Sequence, residues 1–242
     1  MRIISLSPSF TEIILALGLE QDLVGITGDC PKSGRAVSVG APKALDAAQI
    51  AALHPDLMIA ESGLNRPDEI RQLKERFHII SYEVISMPSL VRALGELGEK
   101  LEAQEAAKKL IREIYAAWNQ APPDPVRSLV LLWNLPFLTV SANTYASHLI
   151  EAAGGLNVFR KDPTPEVAIE IEDMMDQDPE MIFLPQHPFP FTEEHAAYFQ
   201  NLPPFSKKRV RLIDGYFFSR FGPRTVTALQ TLKTLMQEAR VS

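Results

Sequence analysis

Short apolar strand patterns alternate with helical patterns along most of the chain, and this alternation constrains the fold most. The predicted strands of the first half are Arg2–Leu6, Leu23–Thr27, Leu57–Ala60 and Ile79–Glu83. Helical patterns separate these strands, and strands that are connected through helices usually pair in parallel. The sequence therefore predicts an α/β fold with parallel-type sheets.

The pattern changes at Ser89, where a long helical stretch begins. No proline occurs between Ser89 and position 122, and apolar residues recur there at the spacing of one helix face. A run of prolines then ends the stretch. We predict one continuous helix over 89–121. The alternative is two helices that break near Gly95 or Gly98.

An internal repeat lies on either side of this helical stretch. In the first half, a short helical run leads through His54-Pro55-Asp56 into a buried strand. In the second half, a similar run leads through Asp178-Pro179-Glu180 into the strand Met181–Pro185. The same order of elements predicts a duplicated α/β lobe. The expected organisation is an N-terminal lobe over 1–88, a linking helix over 89–121 and a C-terminal lobe over 122–242.

The composition excludes several classes of protein. The chain has 24 basic and 30 acidic residues, a net charge of -6, which argues against nucleic acid as the main partner. The single cysteine, Cys30, excludes a disulfide framework. No secretory signal pattern follows Met1. We therefore expect a cytoplasmic protein if Met1 is the native start, and an exported one if a signal has been removed.

The sequence also lacks the common enzyme motifs. It contains no glycine-rich dinucleotide or phosphate loop, no nucleophile elbow and no paired metal ligands at recognised spacings. The histidines are dispersed along the chain. The missing motifs remove the best-supported kinds of enzyme without excluding others, and we expect a protein that is not an enzyme and has no cofactor of its own.

Several segments together carry a family resemblance. They are the opening run from Arg2 to Ile13 (RIISLSPSFTEI), HPDLMI at 54–59, AGGLNVF at 153–159 and RFGPR at 220–224. In this order they resemble the helical-backbone (class III) solute-binding proteins of ABC importers, in particular the vitamin B12-binding branch. The resemblance implies two lobes with parallel-type sheets joined by one long α-helix, and a ligand held in the cleft between the lobes.

The same resemblance implies a ligand, a partner and a location. The ligand is expected to be cobalamin or another tetrapyrrole or metal chelate. The expected partner is an ABC permease, and the binding protein itself is expected to be a periplasmic monomer.

Ligands of such folds bind outside the carboxyl ends of the strands, and a large flat ligand needs aromatic walls with a few polar anchors. Arg220 matches a family arginine that reaches the ligand from the second lobe, and the aromatic candidates could instead pack in the core. The expected ligand-binding residues are Ser7, Pro8, Cys30, Trp133, Tyr145, Phe189, Phe191, Tyr216, Phe217 and Arg220.

Two further residues have alternative interpretations. Cys30 could be a soft metal ligand, although free cysteines are more often small buried side chains. His187 lies on an expected cleft loop, where it could be an axial ligand or a plain polar loop residue.

Acidic residues on each lobe are expected to dock on the permease. The resemblance implies one such residue per lobe, paired with permease arginines. Glu172 matches the second-lobe position, whereas the first-lobe position falls at Pro67, with Asp68 and Glu69 beside it. A solvated acidic face is the alternative interpretation.

The chain also departs from its B12-binding relatives. Cys30 stands where they carry a tyrosine, and tryptophans that they carry near Gly40, Glu61 and Thr164 are missing. These departures leave a second hypothesis open. In it, the chain is a cytoplasmic relative without a transport role, which acts as a ligand sensor, a cofactor chaperone or an enzyme with Cys30 as its nucleophile and His187 across the cleft.

Overall fold

A computed structural model describes residues 1–118, 124–206 and 208–241. They form two compact α/β units. The first comprises Met1–Val84 and Pro88–Glu113, and the second comprises Ile85–Met87 and Ile114–Ser242. The predicted end of the linking helix at 119–121 lies outside the described residues.

The first unit follows the predicted alternation of strands and helices closely. Its elements in chain order are β1 (Ile3–Ser5), α1 (Pro8–Ala16), β2 (Leu23–Ile26), β3 (Val37–Ser38), β4 (Gly40–Ala41), β5 (Ala44–Leu45), α2 (Ala47–Ala52), β6 (Leu57–Glu61), α3 (Pro67–Lys74) and β7 (Ile79–Tyr82), followed by most of α4 (Met87–Lys100) and of α5 (Gln104–Ala117).

Five of these strands form a parallel sheet in the order β3-β2-β1-β6-β7. From β1 the chain first adds strands on one side of the sheet and then returns to add β6 and β7 on the other. The strand order therefore reverses between β1 and β6. In open α/β sheets such a switch point leaves a crevice outside the carboxyl ends of the two strands.

The prediction of one continuous helix over 89–121 is wrong, because α4 ends at Lys100 and α5 begins at Gln104. Glu102 adopts the left-handed conformation, with φ of 54°. The N–H of Glu102 donates to the Glu99 carbonyl and that of Ala103 to the Gly98 carbonyl, at 3.3 and 2.8 Å. These two bonds form a Schellman motif, which terminates a helix.

Gly98 explains why the second helix can pack closely after the break. A Cβ atom added to Gly98 would lie 2.5 Å from the Cβ of Ala107 in α5. The glycine therefore permits a close approach that any side chain would prevent. By contrast, a Cβ atom added to Gly95 would meet nothing within 4 Å.

The second unit has a comparable set of elements. In chain order they are β8 (Val126–Trp133), β9 (Phe137–Val140), α6 (Tyr145–Ala152), β10 (Gly155–Asn157), β11 (Glu166–Ile169), α7 (Ile171–Gln177), β12 (Met181–Pro185), α8 (Glu193–Asn201), β13 (Arg209–Ile213), α9 (Tyr216–Ser219) and α10 (Pro223–Val241). Within the described ranges, no helix combines the length and apolarity that a bilayer crossing requires.

The second sheet is mixed rather than wholly parallel. Its order is β11-β9-β8-β12-β13, with β10 beside the first part of β8. The strands β8, β10, β12 and β13 are parallel, whereas β9 pairs antiparallel with both β8 and β11. The chain extends from β8 to β10 on one side and later to β12 on the other. The switch point of this sheet therefore lies between β8 and β12.

The repeat in the sequence corresponds to a repeated arrangement of side chains. In the first unit the backbone N–H of Arg2 donates to the Asp56 carboxylate at 2.7 Å. In the second unit the N–H of Arg127 donates to the Glu180 carboxylate at 2.8 Å. The residues before the two prolines, His54 and Asp178, are both left-handed, with φ of 43° and 41°.

In both units, therefore, an acidic residue ties the start of the first strand to the turn that follows the short helix. The shared hydrogen bond and the shared backbone conformation support the predicted duplication.

Candidate functional site

The switch point of the first sheet brings together Ser7 and Glu61. Ser7 follows β1 and caps α1, where its side chain accepts a hydrogen bond from the Phe10 N–H at 3.4 Å. Glu61 ends β6, the neighbouring strand. The Ser7 hydroxyl donates a hydrogen bond to Oε2 of Glu61. A carboxyl and a hydroxyl group thus lie where this type of sheet binds ligands.

The environment of Glu61 favours its protonated form. Burial raises the pKa of Glu61 from an ordinary 4.5 to about 7, and the hydrogen bond from Ser7 offsets part of that rise. A buried carboxylate is poorly solvated, so the neutral acid gains relative to the charged form. Near neutral pH the group is therefore balanced between a hydrogen-bond acceptor and a hydrogen-bond donor.

Asn65 holds the loop that follows Glu61 in place. Its side-chain oxygen accepts from the Glu61 N–H at 2.8 Å, and its Nδ2 donates to the carbonyl oxygens of Leu6 and Pro42 at 3.0 and 3.1 Å. A surface cavity of about 330 Å³ lies beside this loop, with Glu61 and Ser81 among its lining residues. Asn65 therefore fixes Glu61 at the edge of an open cavity.

Two other residues predicted for the first lobe have different environments. Pro8 is half-buried at the first position of α1. Cys30 is buried, and its Sγ lies 3.2 Å from the hydroxyl oxygen of Thr27. A buried thiol of this kind acts as a small core side chain. The structure thus gives no support to Cys30 as an accessible nucleophile.

The switch point of the second sheet carries an aromatic pair. Trp133 ends β8 and is 40% exposed, and Phe189 lies on the loop after β12. Their ring centroids are 5.5 Å apart in an edge-on arrangement. Phe189 is half-buried, and its ring centroid lies 4.7 Å from that of Phe191, which anchors the pair to the core. An exposed tryptophan beside a second ring is a platform on which a flat ligand can stack.

A second group of side chains lies where the loop after β12 meets the loop after β13. The His187 and Tyr216 rings lie 4.6 Å apart, and the Arg220 guanidinium lies 3.9 Å from the centre of the Tyr216 ring. Gly215 allows this arrangement, because a Cβ atom there would lie 2.2 Å from the carbonyl oxygen of His187. The cation–π contact with Tyr216 positions the charge of Arg220 at the carboxyl end of the sheet.

The other aromatic candidates lie in the interior of the second unit. Tyr145 is 7% exposed, and its hydroxyl group forms a 2.8 Å hydrogen bond with the hydroxyl of Thr225. Phe191 and Phe217 are also buried. The expectation that these three rings line a ligand site is therefore corrected, because all of them pack in the core. The structure thus agrees with the alternative interpretation, in which these aromatic rings pack in the core.

The acidic residues differ in accessibility. Glu172, in the first turn of α7, is exposed. Pro67 and Asp68 are exposed at the start of α3, and Asp68 lies 3.3 Å from Arg71. Glu69 is half-buried, because its Oε1 accepts from the Leu45 N–H at 3.0 Å and its Oε2 is enclosed. Of the two acidic residues beside Pro67, only Asp68 therefore presents its charge to solvent.

A family model for periplasmic binding proteins matches residues 3–206 of the chain. The chain belongs to the periplasmic binding protein family. The matched region includes the whole first sheet and most of the second, and therefore both switch points. This family consists of binding proteins, in agreement with the expectation that the chain is not an enzyme.

Individual relatives of this periplasmic binding protein cover nearly its whole length. The vitamin B12-binding protein of Vibrio parahaemolyticus is 27% identical over 239 residues, which cover 94% of this chain and 86% of the relative. The crystal structure of the periplasmic vitamin B12 binding protein BtuF of Vibrio cholerae superposes with a TM-score of 0.81 at 23% identity, covering 100% of this chain and 98% of that chain.

A haem-binding structure is equally similar. The periplasmic heme binding protein HutB of Vibrio cholerae has a TM-score of 0.81 at 21% identity, with 97% of this chain and 98% of that chain covered. The structural likenesses confirm the predicted α/β fold of the helical-backbone (class III) binding proteins. At these identities they describe the fold and not the ligand.

Two residues of this binding protein were not among the sequence-based candidates. Glu61 was expected to begin a loop at the carboxyl end of a strand and to lie near a missing tryptophan, but it was not named as a ligand-binding residue, although a polar residue that ends a buried strand is a usable signal. His195 lies between Phe189 and Phe191, with its ring edge-on to both at 5.3 and 5.5 Å. No local motif marked it.

Across the described ranges, no group of three or more His, Cys, Asp or Glu side chains could hold a metal ion.

Proposed function

We propose that this periplasmic binding protein captures a flat metal chelate, a cobalamin-like or other tetrapyrrole ligand, and delivers it to an ABC permease. The observation that carries the proposal is the surface at the carboxyl ends of β8, β12 and β13, which carries the Trp133–Phe189 pair and the Tyr216–Arg220 pair. The described residues offer no cluster for a bare metal ion, so the ligand would supply its own metal.

The aromatic residues suit the body of such a ligand. Trp133 is 40% exposed, which is unusual for a large ring that could have been buried in the core. Its edge-on contact with Phe189 limits how far the indole can turn. A flat macrocycle that stacks on the exposed face of Trp133 would bury apolar surface of both the ligand and the indole ring.

Arg220 suits the rim of such a ligand. Tetrapyrroles carry carboxylate or amide groups at their edges, and a guanidinium donates several coplanar hydrogen bonds to groups of this kind. Because the Tyr216 ring fixes its position at 3.9 Å, Arg220 loses little side-chain freedom when the ligand binds.

The first unit offers polar groups at its own switch point, Ser7 and Glu61. Near neutral pH the Glu61 carboxyl can accept or donate a hydrogen bond, which suits an amide. The sequence-based expectation that one ligand is clamped between two lobes stays a prediction.

Calorimetric titration with cyanocobalamin, haem and a ferric siderophore tests the proposal. We expect micromolar or tighter binding of one of the three. Arg220→Gln should weaken that binding by about tenfold or more, since hydrogen bonds to charged groups contribute about 1.5–3 kcal/mol. The control variant Tyr115→Ala removes an exposed ring on α5 and should bind as the parent does. Absence of binding to all three ligands would refute the proposal.

Docking on the permease is a separate part of the proposal. We assign it to Asp68 and Glu172, the two exposed acidic residues at the predicted positions. With the permease reconstituted in vesicles, Asp68→Lys and Glu172→Lys should reduce the stimulation of ATP hydrolysis by the binding protein. Glu69→Gln is the control, because the Glu69 side chain already accepts a hydrogen bond from the Leu45 N–H, and its loss of charge should not weaken docking. Full stimulation by both charge-reversal variants would argue against these positions.

A further inference from the structure

A small pocket of the second unit lies between the β8–β9 turn and α8. Its volume is about 340 Å³, within the range of small-molecule sites. Phe137 and Phe199 are buried at 7% and 1% exposure, with ring centroids 5.7 Å apart, and they form its inner wall. The aromatic surface at Trp133 and Phe189 lies next to this pocket but does not line it.

The outer wall of the pocket is apolar and exposed. Leu135, in the β8–β9 turn, is 76% exposed, and Tyr198, on α8, is 49% exposed. The Tyr198 ring meets the Phe199 ring edge-on at 5.4 Å, so it is positioned although it is half in solvent. Large apolar side chains that remain exposed around a concave aromatic wall are typical of a binding site.

His195 gives the pocket a polar group of defined character. The backbone N–H of Thr192 donates to Nδ1 of His195 at 3.1 Å. A backbone N–H can only donate, so Nδ1 accepts and carries no proton. In the neutral ring the proton is therefore on Nε2. Within the described part of the chain, Nε2 has no hydrogen-bond partner, and His195 lines the pocket.

The orientation of this donor is also fixed. The imidazole ring lies at 89° to Phe189 and at 84° to Phe191, with centroid distances of 5.3 and 5.5 Å. The bond from Thr192 closes the cap of α8 at the same time. Rotation of the ring would therefore cost both the cap and the aromatic contacts. An N–H donor that is held in this way selects for an acceptor opposite it.

We propose that this pocket binds a neutral, flat heteroaromatic group that carries a hydrogen-bond acceptor. The ring packs against Tyr198 and Phe199, and its acceptor nitrogen accepts from the Nε2–H of His195. An anionic group is disfavoured, because Glu194 is the charged residue that lines the pocket. The same tautomer argues against His195 as a metal ligand through Nε2. This site does not depend on the metal-chelate function, because its lining residues and its hydrogen-bond donor are not those of the surface at Trp133 and Arg220.

Two isosteric probes test the proposal, 1-methylbenzimidazole and 1-methylindole. They differ in one ring position, where the first carries an acceptor nitrogen and the second a C–H group. Binding is followed by two-dimensional amide NMR at a mildly alkaline pH, where imidazoles are neutral. For fragments of this size we expect a dissociation constant on the order of millimolar for the better probe. The benzimidazole should bind about tenfold more tightly, with shifts at α8 and the β8–β9 turn.

Three variants separate the donor from the walls. His195→Gln keeps an acceptor for the Thr192 N–H and a side-chain donor, and should retain part of the preference for the benzimidazole. His195→Phe removes the donor and should make the two probes equal. Tyr198→Ala should weaken both probes alike, whereas Tyr115→Ala, with a matching exposure of 50%, should weaken neither.

The outcomes decide the proposal directly. A preference for 1-methylbenzimidazole that disappears in His195→Phe establishes the site. Equal binding of the two probes to the parent protein would overturn it, as would shifts that map away from α8. If His195→Phe does not fold, His195→Gln and Tyr198→Ala still give the test. Binding of cobalamin or haem at the Trp133 surface with no probe binding would reject this site and leave the metal-chelate function intact.

Discussion

The Ser7 hydroxyl donates a hydrogen bond to the Glu61 carboxylate across the switch point of the first sheet. The bond joins the residue that caps α1 to the residue that ends β6. It therefore couples the start of a helix to the ionisation of a buried acid.

Glu61→Gln should remove a pH dependence of stability. The folded-state pKa of Glu61, about 7, is raised above its ordinary 4.5, so the folded protein binds more protons than the unfolded chain between these values. The free energy of unfolding should therefore fall as the pH rises from about 4.5 to about 7. We expect the variant to lose this fall and to be more stable than the parent above pH 7, by on the order of 2 kcal/mol.

Urea denaturation across this pH range measures the effect. Glu75→Gln changes an exposed glutamate of the same unit and should reproduce the parent profile. If Glu61→Gln and the parent lose stability in parallel, burial of Glu61 is not the cause of the pH dependence.

Ser7→Ala should raise the pKa of Glu61 further, because the hydrogen bond from Ser7 lowers it. The same change removes the cap of α1 and should cost about 1 kcal/mol of stability. A carbon NMR titration of the Glu61 carboxyl separates the two effects. In Thr144→Ala a cap of α6 is lost instead, so stability should fall while the Glu61 titration stays in place. An unchanged Glu61 pKa in Ser7→Ala would contradict the assignment of the bond.

Gly95→Ala and Gly98→Ala should have opposite effects. Gly95 lies in α4 with nothing within 4 Å of an added Cβ atom, so alanine should stabilise the protein by about 0.5–1 kcal/mol. At Gly98 an added Cβ atom would lie 2.5 Å from the Ala107 Cβ, so alanine should destabilise it by about 1–3 kcal/mol. Chemical denaturation compares the two. Stabilisation by both changes would indicate that α5 does not pack against α4 as described.

Gly215→Ala should damage the ligand surface. The new Cβ atom would lie 2.2 Å from the His187 carbonyl oxygen, and backbone atoms can yield only by moving the loop after β12. That loop carries Phe189, so we expect a stability loss of roughly 2 kcal/mol or more together with weaker ligand binding. Denaturation and calorimetry on the same sample measure both, with Gly95→Ala as the control. Unchanged stability would mean that the two loops are not in contact.

Local signals in the sequence predicted most of the elements but not their pairing. The strand Met181–Pro185 was predicted with its observed bounds, since a buried run bounded by prolines leaves little choice. The break between α4 and α5 was missed because Glu102 occupies the left-handed position, where a glycine would have been the signal. The pairing of β9 with β11 joins distant segments, and no turn sequence marks it.

The candidate site was predictable only where a strand end identified it. Trp133 is predicted to bind the ligand because it ends a strand; the structure shows it exposed at that strand end, and its role in binding stays a prediction. Tyr145 was expected in the site because its loop lies at the carboxyl ends of the strands. Its hydroxyl group instead forms a hydrogen bond with Thr225, which is 80 residues away. Ser7 and Glu61 are 54 residues apart, so their contact depends on the strand order and on no spacing rule. Burial and long-range pairing of this kind come from tertiary packing.

The emission of Trp133 tests the central claim most directly. The chain has two tryptophans, so in Trp118→Phe the emission comes from Trp133 alone. Whichever of cyanocobalamin and haem binds should quench this emission with a saturable curve and an equimolar end point, corrected with free N-acetyltryptophanamide for absorption by the ligand. Unchanged Trp133 emission at a ligand concentration that calorimetry shows to be saturating would contradict the account.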